Sequence, residues 1–568
     1  MATKLKRNFV DIDLILDSFE DIKPYFDNLL ERPLDSPKSV WQWMLDWSEL
    51  ESILNEEMGW RYIRMNCDTS DDHLASRFEK FVTEIEPQIS LVIHRLNQKF
   101  NTPETQLLVD KSKLFTVIRE IRKDLELFRE ANVPLEAELQ LKEQEYGQIV
   151  SKMMVWYHDQ EFTLPKAANF LKETDRNIRE TVYHLIQNRR LQDAGTLQNL
   201  LTEQIKIRQQ IALNAGFSNY RDYKFKELGR FDYDLTDCRK FHDSVAKVVV
   251  PLMEELHKKR KEKLKLETLR PYDLEVDADL LPPLKPYDKV EDLIRKTVFC
   301  FRDLAPEFGM FLNEMNKMGY LDLESRKNKA PGGFNYPLHE SNIPFIFMNA
   351  TGSFDDVVTM LHEGGHAIHA YLSAPLELMQ FKEVPSEIAE LASMTMELIT
   401  MDEWHHFFDD KEELKRAKRK HLQSLLNTLP SVAKVDKFQH YLYENPNHTP
   451  EQRVFYWETL EQEFGSRVVD YSGIENYRSH QWMRYLHIFE VPFYYIEYGF
   501  AQLGAIAIWK NFKQDKKAAL AQFKNALKMG YTSPIPDVYK AAGIQFNFSE
   551  EYIAELMDFV KAELVRLQ

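Results

Sequence analysis

The sequence predicts a mostly α-helical protein, on three observations. Apolar residues recur at helical spacing through most of the chain, strand-like composition is confined to residues 332–352, and no fixed-period repeat or low-complexity tract intervenes. At 568 residues, 44% hydrophobic and 29% charged, the chain can bury a large core and is too long for one simple globule. Two helical lobes, or one domain with a large insertion, are expected.

The bulk numbers also exclude functions. A formal net charge of -17 argues against a nucleic-acid binder, which needs clustered Lys and Arg to displace counterions, and against an anionic membrane partner. Cys67, Cys238 and Cys300 lie far apart without a CxxC pair, so neither a disulfide framework nor a thiolate metal site is suggested. The basic start reaches Asp11 and Asp13 before any apolar stretch of signal-peptide length, and no run approaches a membrane span. A cytoplasmic protein is expected.

Taken in order, the first two hundred residues read as helix after helix. Trp43, Met44, Trp47, Leu50, Ile53 and Leu54 share one helical face, as do Phe78, Phe81, Val82 and Ile85 before Pro87 interrupts or kinks the pattern. These stripes read as core. The charged segment Asp175 to Glu180 reads as a solvated helix face. A helix through Ile205, Ile207 and Ile211 ends near Gly216. Between Leu269 and Asp288 four prolines interleave with acidic residues, which predicts a long loop or linker.

Gly332 to Tyr336 and Ile343 to Asn349 then read as a short hairpin, with Pro344 at a strand end. Its edge near Phe345 to Asn349 could pair with an extended peptide, or the hairpin could simply pack on the next helix. Ser353, Asp355 and Asp356 supply capping and negative charge at the start of that helix. The C-terminal third is helical again, broken at Gly530, Pro534 and Pro536 before a last amphipathic helix, Glu550 to Leu567.

The helix after the hairpin carries His362-Glu363-Gly364-Gly365-His366. Residues four apart share a helix face, so both imidazoles can converge on one ion, and Glu363, beside that face, is placed as a general base. A buried histidine pair is the structural alternative. It leaves Gly364-Gly365 unexplained, since each glycine costs a helix about 1 kcal/mol relative to alanine unless another backbone or a substrate comes close.

A zinc ion held by two histidines needs a third protein ligand. Candidates follow in Glu383, Glu387, Glu390 and Glu397. From Pro385 onward a helix puts Glu390 and Glu397 on one face among small and apolar neighbours. A carboxylate there is expensive to bury unless paired, hydrogen-bonded or metal-bound. Ala389, Ala392 and Ser393 would let this helix approach both glycines.

The pentad with its Ala367 to Tyr371 continuation, the Pro344 to Gly352 lead-in and the Ala389 to Glu397 stretch together resemble the oligoendopeptidase F and thimet oligopeptidase family of zinc peptidases. The block His487 to Gly499 is similar to that family's tyrosine-bearing segment. Glu490-Val491-Pro492 stands where thimet-type enzymes carry a glycine-rich loop, closer to the bacterial oligoendopeptidase branch. The resemblance is specific over about residues 200 to 550. It implies a two-lobed, neurolysin-like helical fold with a deep channel and a small β-hairpin or sheet beside the HExxH helix. It divides the chain into an N-terminal helical region, 1–195, and a zinc metallopeptidase region, 196–568.

Carried over residue by residue, the resemblance makes His362, His366 and Glu390 ligands of one Zn2+ per chain and Glu363 the general base. It matches His487, Tyr495 and Tyr498 to the family's catalytic histidine and tyrosines. Tyr494 and Tyr495 both fall near Tyr498, and the role of His369 is open. A phenol that donates to a tetrahedral oxyanion would give such tyrosines their purpose. The implied activity is zinc-dependent hydrolysis of internal bonds of short oligopeptides. The alternatives are a helical zinc carboxypeptidase, which would need an Arg or Lys for the free carboxylate, and a peptide-binding protein without catalysis.

Overall fold

The computed structural model describes residues 6–567, so residues 1–5 of the basic start lie outside it. The chain is mostly helical, with two small sheets. The helices that matter for the site are α1 (Pro37–Cys67), α2 (Arg176–Gln192), α3 (Ala194–Asn214), α4 (Val290–Leu304), α5 (Phe354–Ser373), α6 (Ser386–Ile399), α7 (Lys411–Glu444) and α8 (Tyr495–Gln514). Apolar burial divides between two main cores, which makes the molecule two-lobed. One lies within residues 10–121, built on Trp43, Trp47 and Phe100 and completed by Leu378 and Phe381. The other extends from Leu127 to Leu564 and contains α5, α6 and α8. A small third cluster, Ile63 with Ala330, Leu338, Phe345 and Phe347, fastens α1 to the sheet beside the site.

Local chemistry sets the elements. Ser36 caps α1, its hydroxyl accepting from the Ser39 N–H, and Pro37 occupies the first turn, where no N–H is needed. Pro87 does not end the helical run. A π turn at Phe81–Ile85 joins helices Asp72–Lys80 and Glu86–Phe100 and absorbs the proline in a first turn. Helix α3 stops before Gly216, whose φ of 90° closes the end with Phe217 N–H on Ala212 O at 2.9 Å. The last helix runs Glu550–Arg566.

Several expectations need correction or narrowing. The first two hundred residues are not all helix: β1 (Met154–Tyr157) and β2 (Gln160–Thr163) form an antiparallel hairpin. Its turn, His158-Asp159, has φ of 48° and 57°, the handedness that a two-residue hairpin requires. The Asp175 to Glu180 segment is a solvated face only in part, with Asp175 and Asn177 exposed. Arg179 is buried, its Nη2 2.9 Å from Asp273 Oδ1, and Arg176 Nη2 lies 2.8 Å from Asp273 Oδ2. That same aspartate anchors residues 269–288, where Tyr272, Asp273 and Val276 are buried. The stretch is an ordered loop and not a linker.

The expected hairpin is present, enlarged by one strand. β4 (Phe334–Tyr336) pairs antiparallel with β5 (Phe345–Ala350), and β3 (Leu321–Glu324) pairs parallel on the other side, in the order β3-β5-β4. Phe345 to Asn349 therefore lies in the central strand. The edge that faces the site is β4, because β3 occupies the position beside β5 that the sequence left open.

β5 leads into α5 through a cap built on Asp356. Its Oδ2 accepts from Ser353 N–H (2.7 Å), Thr351 N–H (2.9 Å) and the Tyr287 hydroxyl (2.6 Å). Among the described residues no helix is long and apolar enough to cross a membrane.

Candidate metal centre and active site

The site begins with a close approach of two helices. A Cβ added at Gly365 would stand 2.6 Å from Ser393 Cα and 3.0 Å from Ala392 O, so only glycine lets α5 and α6 pack backbone to backbone. Gly364 serves a different neighbour. Its added Cβ would strike the Phe301 ring of α4 at 2.6 Å, so the small residues of α6 explain one glycine of the pair.

That approach brings together the donors. His362 Nε2 lies 3.2 Å and His366 Nε2 3.7 Å from Glu390 Oε2, and one donor atom from each of these residues falls within 4.8 Å of the others. Seven residues on along α6, Glu397 takes the far side of the same imidazole. Its Oε1 accepts from His362 Nδ1 at 2.7 Å, which turns Nε2 towards the centre. Glu397 Oε2 is 3.6 Å from His421 Nε2 of α7. Glu387 points elsewhere, accepting from the Tyr233 hydroxyl at 2.5 Å, and Glu383 lines the cavity without joining the donor set.

The electrostatics favour a cation at this point. Burial disfavours a charged His362, but hydrogen bonds and charge from Glu390 and Glu397 outweigh it and hold the imidazole well above its ordinary value. Burial likewise works against an ionised Glu390, while His366, His362 and the Tyr494 hydroxyl hold it down to about 2. Two neutral-capable nitrogens and one ionised oxygen, converging in a buried pocket, fit a divalent metal of the zinc type.

Glu363 is not part of that set. It is buried beside it, and its Oε2 meets no hydrogen-bond donor of the protein. Burial, reinforced by Glu390 and Glu397 and opposed by His362, pushes it up to about 7. That value suits a proton acceptor at neutral pH. Gly333 leaves room in front of it: a Cβ there would be 3.5 Å from Glu363 Oε1. Asn335 Nδ2 donates to Glu363 O at 3.2 Å and ties β4 to α5.

A cavity of about 490 Å³ covers the centre, lined by β4, His339, His362, Glu363, His366, His369, Glu390, Tyr494 and Tyr498. The Tyr494 hydroxyl donates to Glu390 Oε1 at 2.5 Å. The Tyr498 hydroxyl is hydrogen-bonded to His487 Nε2 at 3.1 Å, and burial pushes His487 down to about 4, so this imidazole is neutral. Tyr495 does not line the cavity. Its ring packs 4.8 Å from that of His487 and 5.4 Å from that of Tyr485. His369 is buried with an unpartnered Nε2, and burial pushes it down to about 3.

Sequence reasoning missed His339, Asn335 and His421. Each reaches the site from a separate element, and none belongs to a local spacing that would have marked it.

Fold and site together define a helical, two-lobed protein built around a two-histidine, one-carboxylate metal-binding set with a spare buried carboxylate beside it. The chain belongs to peptidase family M3, whose profile matches residues 169–558, with the Peptidase M3 N-terminal domain matching residues 9–128. It is 22% identical over 403 residues to oligopeptidase PepF of Bacillus subtilis (strain 168), covering 69% of this chain and 58% of that protein. It is 23% identical over 387 residues to an oligoendopeptidase F homolog of Borreliella burgdorferi, covering 66% of this chain and 63% of that one. The matched segment thus spans about three fifths of the length of these relatives.

Among solved structures, PZ peptidase A with an inhibitor superimposes with a TM-score of 0.92 at 25% identity, covering 98% of this chain and 99% of the other. Oligoendopeptidase F from Enterococcus faecium shares the fold at a TM-score of 0.65 and 16% identity, covering 97% of each chain.

Proposed function

We propose that the protein is a zinc-dependent endopeptidase, with one zinc per chain, that hydrolyses internal bonds of short oligopeptides. The observation that carries this reading is the convergence of His362 Nε2, His366 Nε2 and Glu390 Oε2 beside the free, buried Glu363 carboxylate. Zinc, when bound there, supplies Lewis-acid polarisation of the scissile carbonyl and makes water a better nucleophile at neutral pH.

The chain's own residues do the rest. Glu363 Oε2 takes a proton from the attacking water and returns it to the leaving amine nitrogen. Glu397 fixes the His362 ring, and His487 orients the Tyr498 hydroxyl. Tyr498 donates to the developing oxyanion, Tyr494 turns its one hydroxyl proton from Glu390 Oε1 to the same oxygen as the charge develops, and Tyr495 supports the His487 ring from behind. The free edge of β4 offers main-chain hydrogen bonds to an extended peptide, with little side-chain selection.

In this reading residues 1–195 form a helical wall over the catalytic region 196–568, oligopeptides are the partners, and neither nucleic acid nor membrane is engaged. Three free thiols suit a reducing compartment, and we place the protein in the cytoplasm. The test is cleavage of an internally quenched peptide. Protein stripped by a chelator should be inactive and one equivalent of zinc should restore it; activity that survives complete metal removal refutes the reading.

A further inference from the structure

The tyrosines of the site hang on one strained residue. Phe493, immediately before Tyr494, has a φ of 68°, a left-handed backbone that a bulky side chain adopts only where its surroundings over-determine it. It is fully buried.

Its surroundings hold it from both ends. The Phe493 N–H donates to Gln439 Oε1 of α7 at 2.7 Å, and its carbonyl accepts from Arg230 Nη2 at 2.5 Å. Between those bonds the ring packs 5.4 Å from that of Phe225 and 5.3 Å from that of His440, which Asp436 Oδ2 fixes at 3.1 Å. Neither Arg230 nor Gln439 lines the cavity over the metal centre, so neither touches a substrate held there.

Arg230 also joins two helices. Its Nη2 lies 3.1 Å from Glu497 Oε1, in the first turn of α8. Its guanidinium sits 5.4 Å from the centre of the Tyr233 ring, whose hydroxyl donates to Glu387 Oε1 in the first turn of α6. Burial opposes the charge on Arg230, but Tyr233, Glu497, Cys238 and Glu387 outweigh it and keep the guanidinium ionised.

The consequence falls on the next turn of each helix. Glu390 follows Glu387 by three residues on α6, while Tyr494 and Tyr498 flank Glu497 at the start of α8. The 2.5 Å bond from the Tyr494 hydroxyl to Glu390 Oε1 therefore needs the register that Arg230 sets. Such groups must be held within about 0.5 Å of the productive geometry.

We propose that Arg230 and Gln439 are positioning residues, which hold the Phe493 turn so that the Tyr494 and Tyr498 hydroxyls meet Glu390 and His487. The kinetic part of the test rests on the peptidase reading. In zinc-loaded protein, Gln439→Leu and Arg230→Met should each lower kcat about 10- to 100-fold, with zinc retained and KM changed by less than about threefold. Arg230→Lys, which keeps the charge but not the planar fork, should lose less than Arg230→Met.

Both losses should shrink to within about twofold in a Tyr494→Phe/Tyr498→Phe background, because a residue acting only through those hydroxyls has nothing left to position there. The same fold-loss in that background overturns the proposal, as does a lowered Tm with kcat per folded molecule unchanged. If Arg230→Met does not fold, Gln439→Leu carries the same comparison. A second readout needs no turnover: with fluorotyrosine at position 494, the fluorine NMR line should move in Gln439→Leu towards its position in Glu390→Ala. An unmoved line overturns the proposal. A moved line in a protein that cleaves no peptide would sink the peptidase reading and leave the positioning role standing.

Discussion

Glu390 and Glu397 sit seven residues apart on α6 and meet opposite nitrogens of the same imidazole, so mutation can separate their roles. Glu397→Ala should weaken metal binding about 10- to 100-fold, the usual effect of losing a ligand's orienting partner. Glu390→Ala should weaken it by at least about tenfold more, and Glu387→Ala, whose carboxylate holds Tyr233, should leave it unchanged. Competition against a chromophoric chelator reads all three, and equal loss at Glu390 and Glu397 would reverse the assignment. For the proposed oxyanion donors, Tyr498→Phe and Tyr494→Phe should each lower kcat about a hundredfold with metal retained and KM little changed. Tyr495→Phe should change kcat only a few-fold, and a hundredfold loss there would contradict the geometry. His362, Glu363 and His366 were legible in the sequence because helical spacing alone places them. Tyr494 and Tyr495 were not separable, because Phe493, at φ 68°, turns the chain just before α8 and resets which side chain faces Glu390.

At the scale of elements, the close contact of α5 and α6 makes Gly365 the sensitive position. Gly365→Ala should cost about 1–3 kcal/mol in urea unfolding and weaken metal binding with it, because the clash is with backbone that cannot move aside. An unchanged metal affinity would separate the packing from the site. A second test uses the Asp273 anchor. Burial raises its pKa, but hydrogen bonds from Arg176, Arg179 and the Arg270 N–H outweigh that and hold it below the ordinary carboxylate range. A depressed folded-state value means that the stabilisation is present above the unfolded value near about 3.9 and is lost as pH falls through the folded one. Asp273→Ala should therefore destabilise by about 3–5 kcal/mol at neutral pH, and the gap to the unaltered protein should close in urea titrations below about pH 4. A gap constant with pH would deny the ion pairs their role. This anchor was hidden in the sequence, since proline and acidic residues look alike whether solvated or buried by arginines ninety residues away. The β1–β2 hairpin was hidden by its brevity, although Val155-Trp156-Tyr157 followed by His158-Asp159 carried a strand and turn signal.

At the scale of the molecule, two cores flank a buried centre, and the division was legible only through the family resemblance, since periodicity shows helices and not how they group. In the proposed function a scissile bond must reach the metal set in its cavity while the rest of the peptide lies along β4. Extended peptides of roughly 5 to 20 residues can do this, and folded or bulky chains cannot. Unfolded casein should survive conditions that consume such peptides, and its degradation at peptide-like rates would mean an open cleft. The most direct test of the account is mass-spectrometric mapping of a mixed peptide library digested by the unaltered protein and by Glu363→Gln at equal zinc content. The account predicts cleavage at internal bonds by the unaltered protein, and a loss of about a thousandfold or more in the variant with its zinc still bound. Release of single C-terminal residues alone, or comparable digestion by the zinc-loaded variant, would contradict it.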